Sequence, residues 1–169
     1  MPLLLLIRHG ENDYVKTGKL AGRIPGVHLN EKGQKQAQAL SEALKEVPIK
    51  AIYSSPLERA METANPIAES HKLTIIQEPD LRDTDIGKWQ GKSLKVLRLT
   101  KAWKIVQSAP SRFRFPEGES FTEAQTRYVG ALEQIIQKLQ SCIFPLKTLH
   151  RLILIYLKQV SRSFEKIKS

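Results

Sequence analysis

Leu3-Leu4-Leu5-Leu6-Ile7 runs without a break into Arg8-His9-Gly10-Glu11 within the first dozen residues of the chain. Five consecutive apolar residues followed by a charged turn suit a buried strand, as found in parallel sheets covered on both faces. In open α/β sheets reacting groups collect where the chain leaves the C-terminal end of a strand, so this segment brings a cation and an imidazole together to the mouth of a site. Arg offers a planar fork of donors that fits phosphate or carboxylate. His offers a neutral lone pair near pH 7 and can act as nucleophile or base. Alone, the tetrapeptide also suits a purely structural strand end.

Downstream, strand and helix signals alternate. Residues 13–28 form a long polar loop with Gly18, Gly22, Pro25 and Gly26, and a loop of that length in a small domain points to function. Asn30 predicts an N-cap for a helix whose apolar and small positions are Ala37, Ala39, Leu40, Ala43, Leu44 and Val47, ending before Pro48. Ala51-Ile52-Tyr53 predicts a second strand. Ser54-Ser55-Pro56 then predicts a helix with a capping serine and Pro at its first position, running to about Ser70, with Arg59 and Thr63 on one face. Leu73 to Ile76 reads as a third strand, and Pro79 to Gly91 as an irregular acidic loop holding Asp83 and Asp85. A helical stretch from Ser93 to Gln107 and a Pro/Arg/Phe segment from Pro110 to Gly118 follow. Ser120 with Glu123 makes a capping box that opens a helix with the stripe Val129, Leu132, Ile135, Ile136 and Leu139. The alternation predicts one α/β domain over residues 1–169, a three-layer α/β/α arrangement with a mostly parallel sheet.

Composition narrows the function classes. Of the net charge of +10, half falls in residues 140–169, which hold six Lys/Arg and one Glu, so the tail is far more basic per residue than the body. The mild positive field of the body suits a small anionic substrate or simply a solvated surface. The tail has no nucleic-acid-binding motif, and no nucleic-acid partner is expected. The single Cys142 rules out an internal disulfide, and no Cys/His group has zinc spacing, so neither metal nor other cofactor is expected. The opening leucines do not read as a signal peptide, and Leu149 to Leu157 is too short to span a bilayer. A cytoplasmic protein with no membrane partner is the expectation, with the oligomeric state open.

Three elements converge on one chemistry: Arg8-His9 after the first strand, Arg59 in the first turns of the helix after the second, and the acid Asp83. Two guanidinium forks beside a helix N-terminus suit a tetrahedral dianion, and a small phosphorylated molecule is the expected substrate. Taken singly, Arg59 also suits a surface residue paired with Glu58 or Glu62, and Asp83 a turn residue.

Together these residues resemble the histidine phosphatase superfamily, the phosphoglycerate mutase-like family. The matching text is Leu5-Leu6-Ile7-Arg8-His9-Gly10-Glu11, then Leu29-Asn30-Glu31-Lys32-Gly33, then Ser54-Ser55-Pro56-Leu57-Glu58-Arg59-Ala60 with Thr63-Ala64. It continues through Leu81-Arg82-Asp83-Thr84-Asp85-Ile86-Gly87 and Pro116-Glu117-Gly118-Glu119-Ser120, with Arg127 beyond, and covers roughly residues 1 to 139. Leu20-Ala21-Gly22-Arg23 is similar to a bacterial phosphatase/phosphomutase subgroup. The resemblance implies a phosphoglycerate mutase-like fold and a metal-independent phosphomonoester hydrolase. In it His9 attacks phosphorus to give a phosphohistidine, while Arg8 and Arg59 neutralise the phosphoryl oxygens. Asp83 stands where the family carries a Glu that protonates the leaving oxygen, and Gly22 falls where members approach the substrate with backbone atoms. A phosphomutase using the same phosphohistidine is an alternative, and the absence of long insertions tilts towards hydrolysis.

The resemblance breaks at the C-terminal end. The family places a second His at the end of a strand near residue 150, completing the phosphate pocket, and His150 is the one late candidate. Counting forward from Leu139 puts the expected position near 150, while counting backward from Tyr156-Leu157 puts it near Pro145. Residues 140–169 contain no Gly, Ala, Asp or Asn, which makes this segment atypical and points to an altered end. A phosphate-binding remnant lacking the second His, with impaired catalysis, is therefore a third reading.

Overall fold

The computed structural model describes residues 3–141 and 151–155. Strands β1 (Leu3–Ile7), β2 (Ile49–Ser54), β3 (Ile75–Gln77) and β4 (Arg151–Ile155) form one sheet in the order β1-β4-β2-β3, and every neighbouring pair is parallel. The α-helices among the described residues are α1 (Asp13–Lys16), α2 (Glu31–Leu44), α3 (Glu58–His71), α4 (Leu94–Leu97), α5 (Lys101–Ser108) and α6 (Phe121–Ser141).

Alternation along the strands sorts side chains to two faces. Leu5, Ile7 and Ile52 pack with Ala60, Ala64, Ile67 and Ala68 of α3 and with Leu40 and Leu44 of α2. Alanines four residues apart let the α3 backbone lie close to the sheet. Leu4, Ala51 and Tyr53 meet Ala124, Tyr128, Ala131 and Ile135 of α6 on the opposite face. This is the expected three-layer α/β/α arrangement. A separate aromatic cluster, in which Trp89 stacks on Trp103 with centroids 6.1 Å apart and meets Phe113 and Phe115, supports the segment between the acidic loop and α6.

Local capping accounts for most boundaries. Asn30 caps α2 by accepting the Gly33 N–H at 2.9 Å, and Ser120 and Glu123 exchange the two bonds of a capping box at the start of α6. The structure departs from expectation in several places: the long loop over residues 13–28 opens with a short helix, α1, and β1 is an edge strand of the described sheet with Leu6 58% exposed rather than a buried strand. Helix α3 begins at Glu58, because Leu57 is extended and carries no side-chain cap, while Ser54 and Ser55 bond within the preceding turn. Strand β3 starts two residues late because Leu73 N–H still closes α3 by donating to Ala68 O, past Lys72 in the left-handed region. The 93–107 stretch is two helices, since Thr100 donates to Leu97 O at the end of one and caps the next by accepting the Trp103 N–H. On α6 the buried stripe is Ala124, Tyr128, Ala131 and Ile135, and Val129 is 44% exposed. The large Tyr128 ring takes the inward position that the pattern gave to its neighbour.

Candidate active site

Strands β1 and β2 end level with each other on either side of β4, Ile7 opposite Ile155 and Ser54 opposite Ile155. The residues after β1 and β2 therefore share one end of the sheet. His9 lies there, 6% exposed, with its Nδ1–H donating to Gly10 O at 2.6 Å. That bond leaves the lone pair on Nε2. Burial pushes His9 down to about 4, the Gly10 bond opposes the shift, and the Arg59 and Arg8 cations add to it. At neutral pH the ring is uncharged.

The turn carrying His9 is held tightly. Gly10 N–H donates to Thr63 Oγ1 at 3.0 Å, and Thr63 Oγ1 donates to Arg59 O at 2.7 Å, which ties the turn to α3. A Cβ on Gly10 would lie 2.6 Å from Gly33 O, so the turn and the first turn of α2 meet backbone to backbone. Arg8 is exposed and shares a recess of about 220 Å³ with His9, Gln36 and Thr63.

Arg59 is fully buried in the second position of α3. It does not pair with Glu58 or Glu62: Glu58 accepts from Gly26 N–H, and Glu62 accepts from His28 and from Leu29 N–H. Instead its Nη2 donates to Gly22 O at 2.6 Å and to Asp83 Oδ2 at 3.2 Å. Its Nε and Nη1 have no hydrogen-bond partner among the described residues. A buried guanidinium with two idle donors is costly in isolation and fits an incoming oxyanion. Gly22 adopts φ +55°, and a Cβ there would come within 2.7 Å of Ile86 Cγ1. Glycine thus lets the long loop press its carbonyl onto Arg59.

Asp83 is 2% exposed and accepts from Thr84 N–H at 3.0 Å through Oδ1. Burial pushes it up to about 6, against the pull of Arg59, of the Thr84 amide and of Arg23. A carboxyl poised there can donate a proton near neutrality and take one back. The raised value also has a cost in stability. Below the ordinary carboxylate value of 3.8 the preference of the folded chain for the protonated form stabilises it fully, and that contribution is lost as pH rises through about 6. Asp83→Asn, which stays neutral, is therefore expected to match or trail the wild type near pH 4 and to exceed it at pH 8. The change in relative stability has an upper bound of roughly 3 kcal/mol. Urea denaturation of both proteins at the two pH values checks this, and a difference independent of pH contradicts it.

The structure thus brings Arg8, His9, Gly22, Arg59 and Asp83 to one place. His150 lies outside the described residues. Among the described residues no group of His, Cys, Asp and Glu could hold a metal ion. Sequence reasoning missed the roles of Arg23 and Glu119. Arg23 Nε donates to Asp83 O at 2.8 Å, and its Nη2 donates to Glu119 at 3.2 Å. Both lie in text that resembles the family, but no local periodicity links residues so far apart in sequence.

Comparison with known proteins agrees with this fold. A family model described as histidine phosphatase superfamily (branch 1) matches residues 4–163. Phosphoserine phosphatase 1 of Hydrogenobacter thermophilus is 32% identical over 137 residues, covering 80% of this chain and 64% of the relative. The metal-independent phosphoserine phosphatase of Arabidopsis thaliana is 38% identical over 141 residues, covering 80% of this chain and 58% of the relative. The chain thus spans about three-fifths of the length of these two relatives. Among solved structures, mycobacterial hydrolase 1 superposes with a TM-score of 0.81 at 25% identity, covering 91% of this chain and 74% of that one.

Proposed function

The chain belongs to the histidine phosphatase superfamily (branch 1), and from that premise we propose that it hydrolyses small phosphomonoesters without a metal ion, through a phosphohistidine on His9. The observation that carries the reading is the pair of idle donors on buried Arg59 beside a buried, neutral His9. Phosphoryl transfer asks a protein mainly for positioning and for cations around the phosphoryl oxygens, and Arg59 and Arg8 supply both.

In the first step His9 Nε2 forms a bond to phosphorus as the bond to the ester oxygen breaks. The protonated Asp83 carboxyl gives its proton to the departing alcohol oxygen. In the second step the Asp83 carboxylate takes a proton from a water molecule, whose oxygen attacks phosphorus. The phosphorus–nitrogen bond breaks, phosphate leaves, and His9 regains its lone pair. The phosphate dianion itself favours the protonated Asp83, since two anions at one site repel. Asp83 serves both steps one methylene short of the family's Glu, with Arg59 holding it at the rim of the phosphate position. His150 lies outside the described residues and is given no part in this proposal.

The reading is tested by incubating the protein with a panel of small phosphomonoesters and following released phosphate and phosphoprotein. Phosphate release together with acid-labile, base-stable labelling is the expected result. Transfer to an added alcohol in place of release would assign a phosphomutase. Neither labelling nor release from any ester would overturn both enzyme readings and leave a phosphate-binding protein.

A further inference from the structure

Asp83 sits on a loop with little regular structure, yet its backbone is gripped from outside at four points within six residues. Arg127 Nη1 donates to Asp80 O at 2.6 Å and to Arg82 O at 2.9 Å. Arg23 Nε donates to Asp83 O at 2.8 Å, and Asp85 N–H donates to Glu119 Oε1 at 2.8 Å. The three side chains are also joined to one another. Glu119 accepts from Arg127 Nη2 at 2.6 Å, from Arg127 Nε at 3.3 Å and from Arg23 Nη2 at 3.2 Å. They come from the long loop before α2, from the residue before the α6 capping box and from the second turn of α6. All three are mostly buried, so these charge-assisted bonds are screened less than surface pairs.

A carboxylate next to a guanidinium frequently closes onto it with two parallel bonds. Here Asp83 touches Arg59 through a single bond to Nη2, and Nε and Nη1 stay free. The loop is therefore held so that the carboxyl stops short of the face that would take phosphate. Arg23 adjoins Gly22, whose carbonyl holds the same Arg59 Nη2. The Gly22–Arg23 dipeptide thus fixes Arg59 by its main chain and Asp83 by its side chain.

We propose that Arg23, Glu119 and Arg127 form a clamp that positions Asp83 for proton transfer to the leaving group and keeps it from closing onto Arg59. The proposal rests on the hydrolase reading for its catalytic part. The three are positioning residues, and none of them touches the reacting atoms. The groups facing the Asp83 carboxyl are Arg59 and the Thr84 amide, with Arg23 and Tyr128 close enough to interact with its charge. Without the clamp, Asp83 is expected to form the two-bond pair with Arg59, which favours its ionised form and covers the phosphate position.

Two variants test this, Glu119→Gln, which keeps an acceptor for Asp85 N–H but removes the shared charge, and Arg23→Met, which keeps the apolar stem. Two measurements apply to each. The first is the titration of the Asp83 carboxyl by carbon-13 NMR in the folded protein, identified by its loss in Asp83→Asn, which needs no turnover. The second is kcat/KM on an alkyl phosphate, whose leaving group needs a proton, and on 2,4-dinitrophenyl phosphate, whose leaving group does not. The expected result is an Asp83 titration moved to lower pH in both variants, in Arg23→Met against the rise that loss of its own charge would cause, with kcat/KM reduced by roughly 100-fold on the alkyl ester and much less on the dinitrophenyl ester. An Asp83 titration in Arg23→Met that stays in place or rises, or equal losses on the two esters, overturns the proposal. If the wild type turns over neither ester, the hydrolase reading fails, and the titration alone then decides whether the clamp sets the position of Asp83.

Discussion

His9→Ala is expected to lower phosphomonoester turnover by at least roughly 10⁴-fold, the scale on which loss of a covalent nucleophile is felt. The reason lies in how the site is partitioned. In the proposed mechanism Arg8 and Arg59 bind and neutralise, Asp83 moves a proton, and Nε2 of His9 bonds to phosphorus. Thr63 holds the His9 turn through Gly10, so the variant keeps the turn and loses the reacting atom. Folding is not expected to suffer in acid. Because burial lowers His9 to about 4, the wild type loses stability as pH falls from the ordinary value of 6.5 towards 4, and alanine escapes that loss. Single-turnover phosphate release, with thermal melts at pH 5 and 8 as a check on folding, tests the expectation. Residual turnover above about one part in a hundred, far above the loss argued from nucleophile removal, would require another nucleophile.

Arg59→Ala carries the second large effect, in two currents. Removing the guanidinium deletes the two idle donors at the phosphate position, with an expected loss of roughly 10³-fold or more in kcat/KM, as for other transition-state arginines. It also strips Asp83 of its cation inside a closed environment. Breaking a buried pair from one side costs about 3–5 kcal/mol, and Asp83 escapes part of it by staying protonated at higher pH. The destabilisation should therefore be larger at pH 8 than at pH 5. Arg59→Lys keeps a charge for Asp83 but has no fork, so it should recover stability better than activity. In the double variant Arg59→Ala/Asp83→Ala no charge is left buried, and stability should return in part while turnover stays absent. Urea denaturation at both pH values and ester kinetics measure the two effects. A single variant within tenfold of wild-type activity would remove Arg59 from the phosphate position.

Much of this site was legible because its signals are local. The apolar run before Arg8, the Asn30 cap and the Ser120–Glu123 box each act over no more than five residues, and all three form where expected, although the run makes an edge strand of the described sheet with Leu6 exposed and not the buried strand its composition suggests. Parallel pairing and the three layers follow from the same alternation of strands and helices. The resemblance to a known family then added roles for His9, Arg8, Arg59 and Asp83 that no spacing could supply. Helix α6 shows the limit of the local rule: the 3.6-residue period marks an apolar side but not which of Tyr128 and Val129 turns inward, which the sheet beneath settles by area.

What chain order and composition carried, then, was the identity of the elements and of the chemical groups at the strand ends. What packing decided was their partners and their charge. Arg59 had Glu58 and Glu62 within reach along its own helix, yet it bonds Gly22 O and Asp83, 37 and 24 residues away. His9 at about 4 and Asp83 at about 6 owe their values to water removed by elements that meet only in the folded chain. Hydrogen-bond capping decays within a turn of backbone, whereas desolvation and long-range ion pairing exist only once distant segments exclude solvent together.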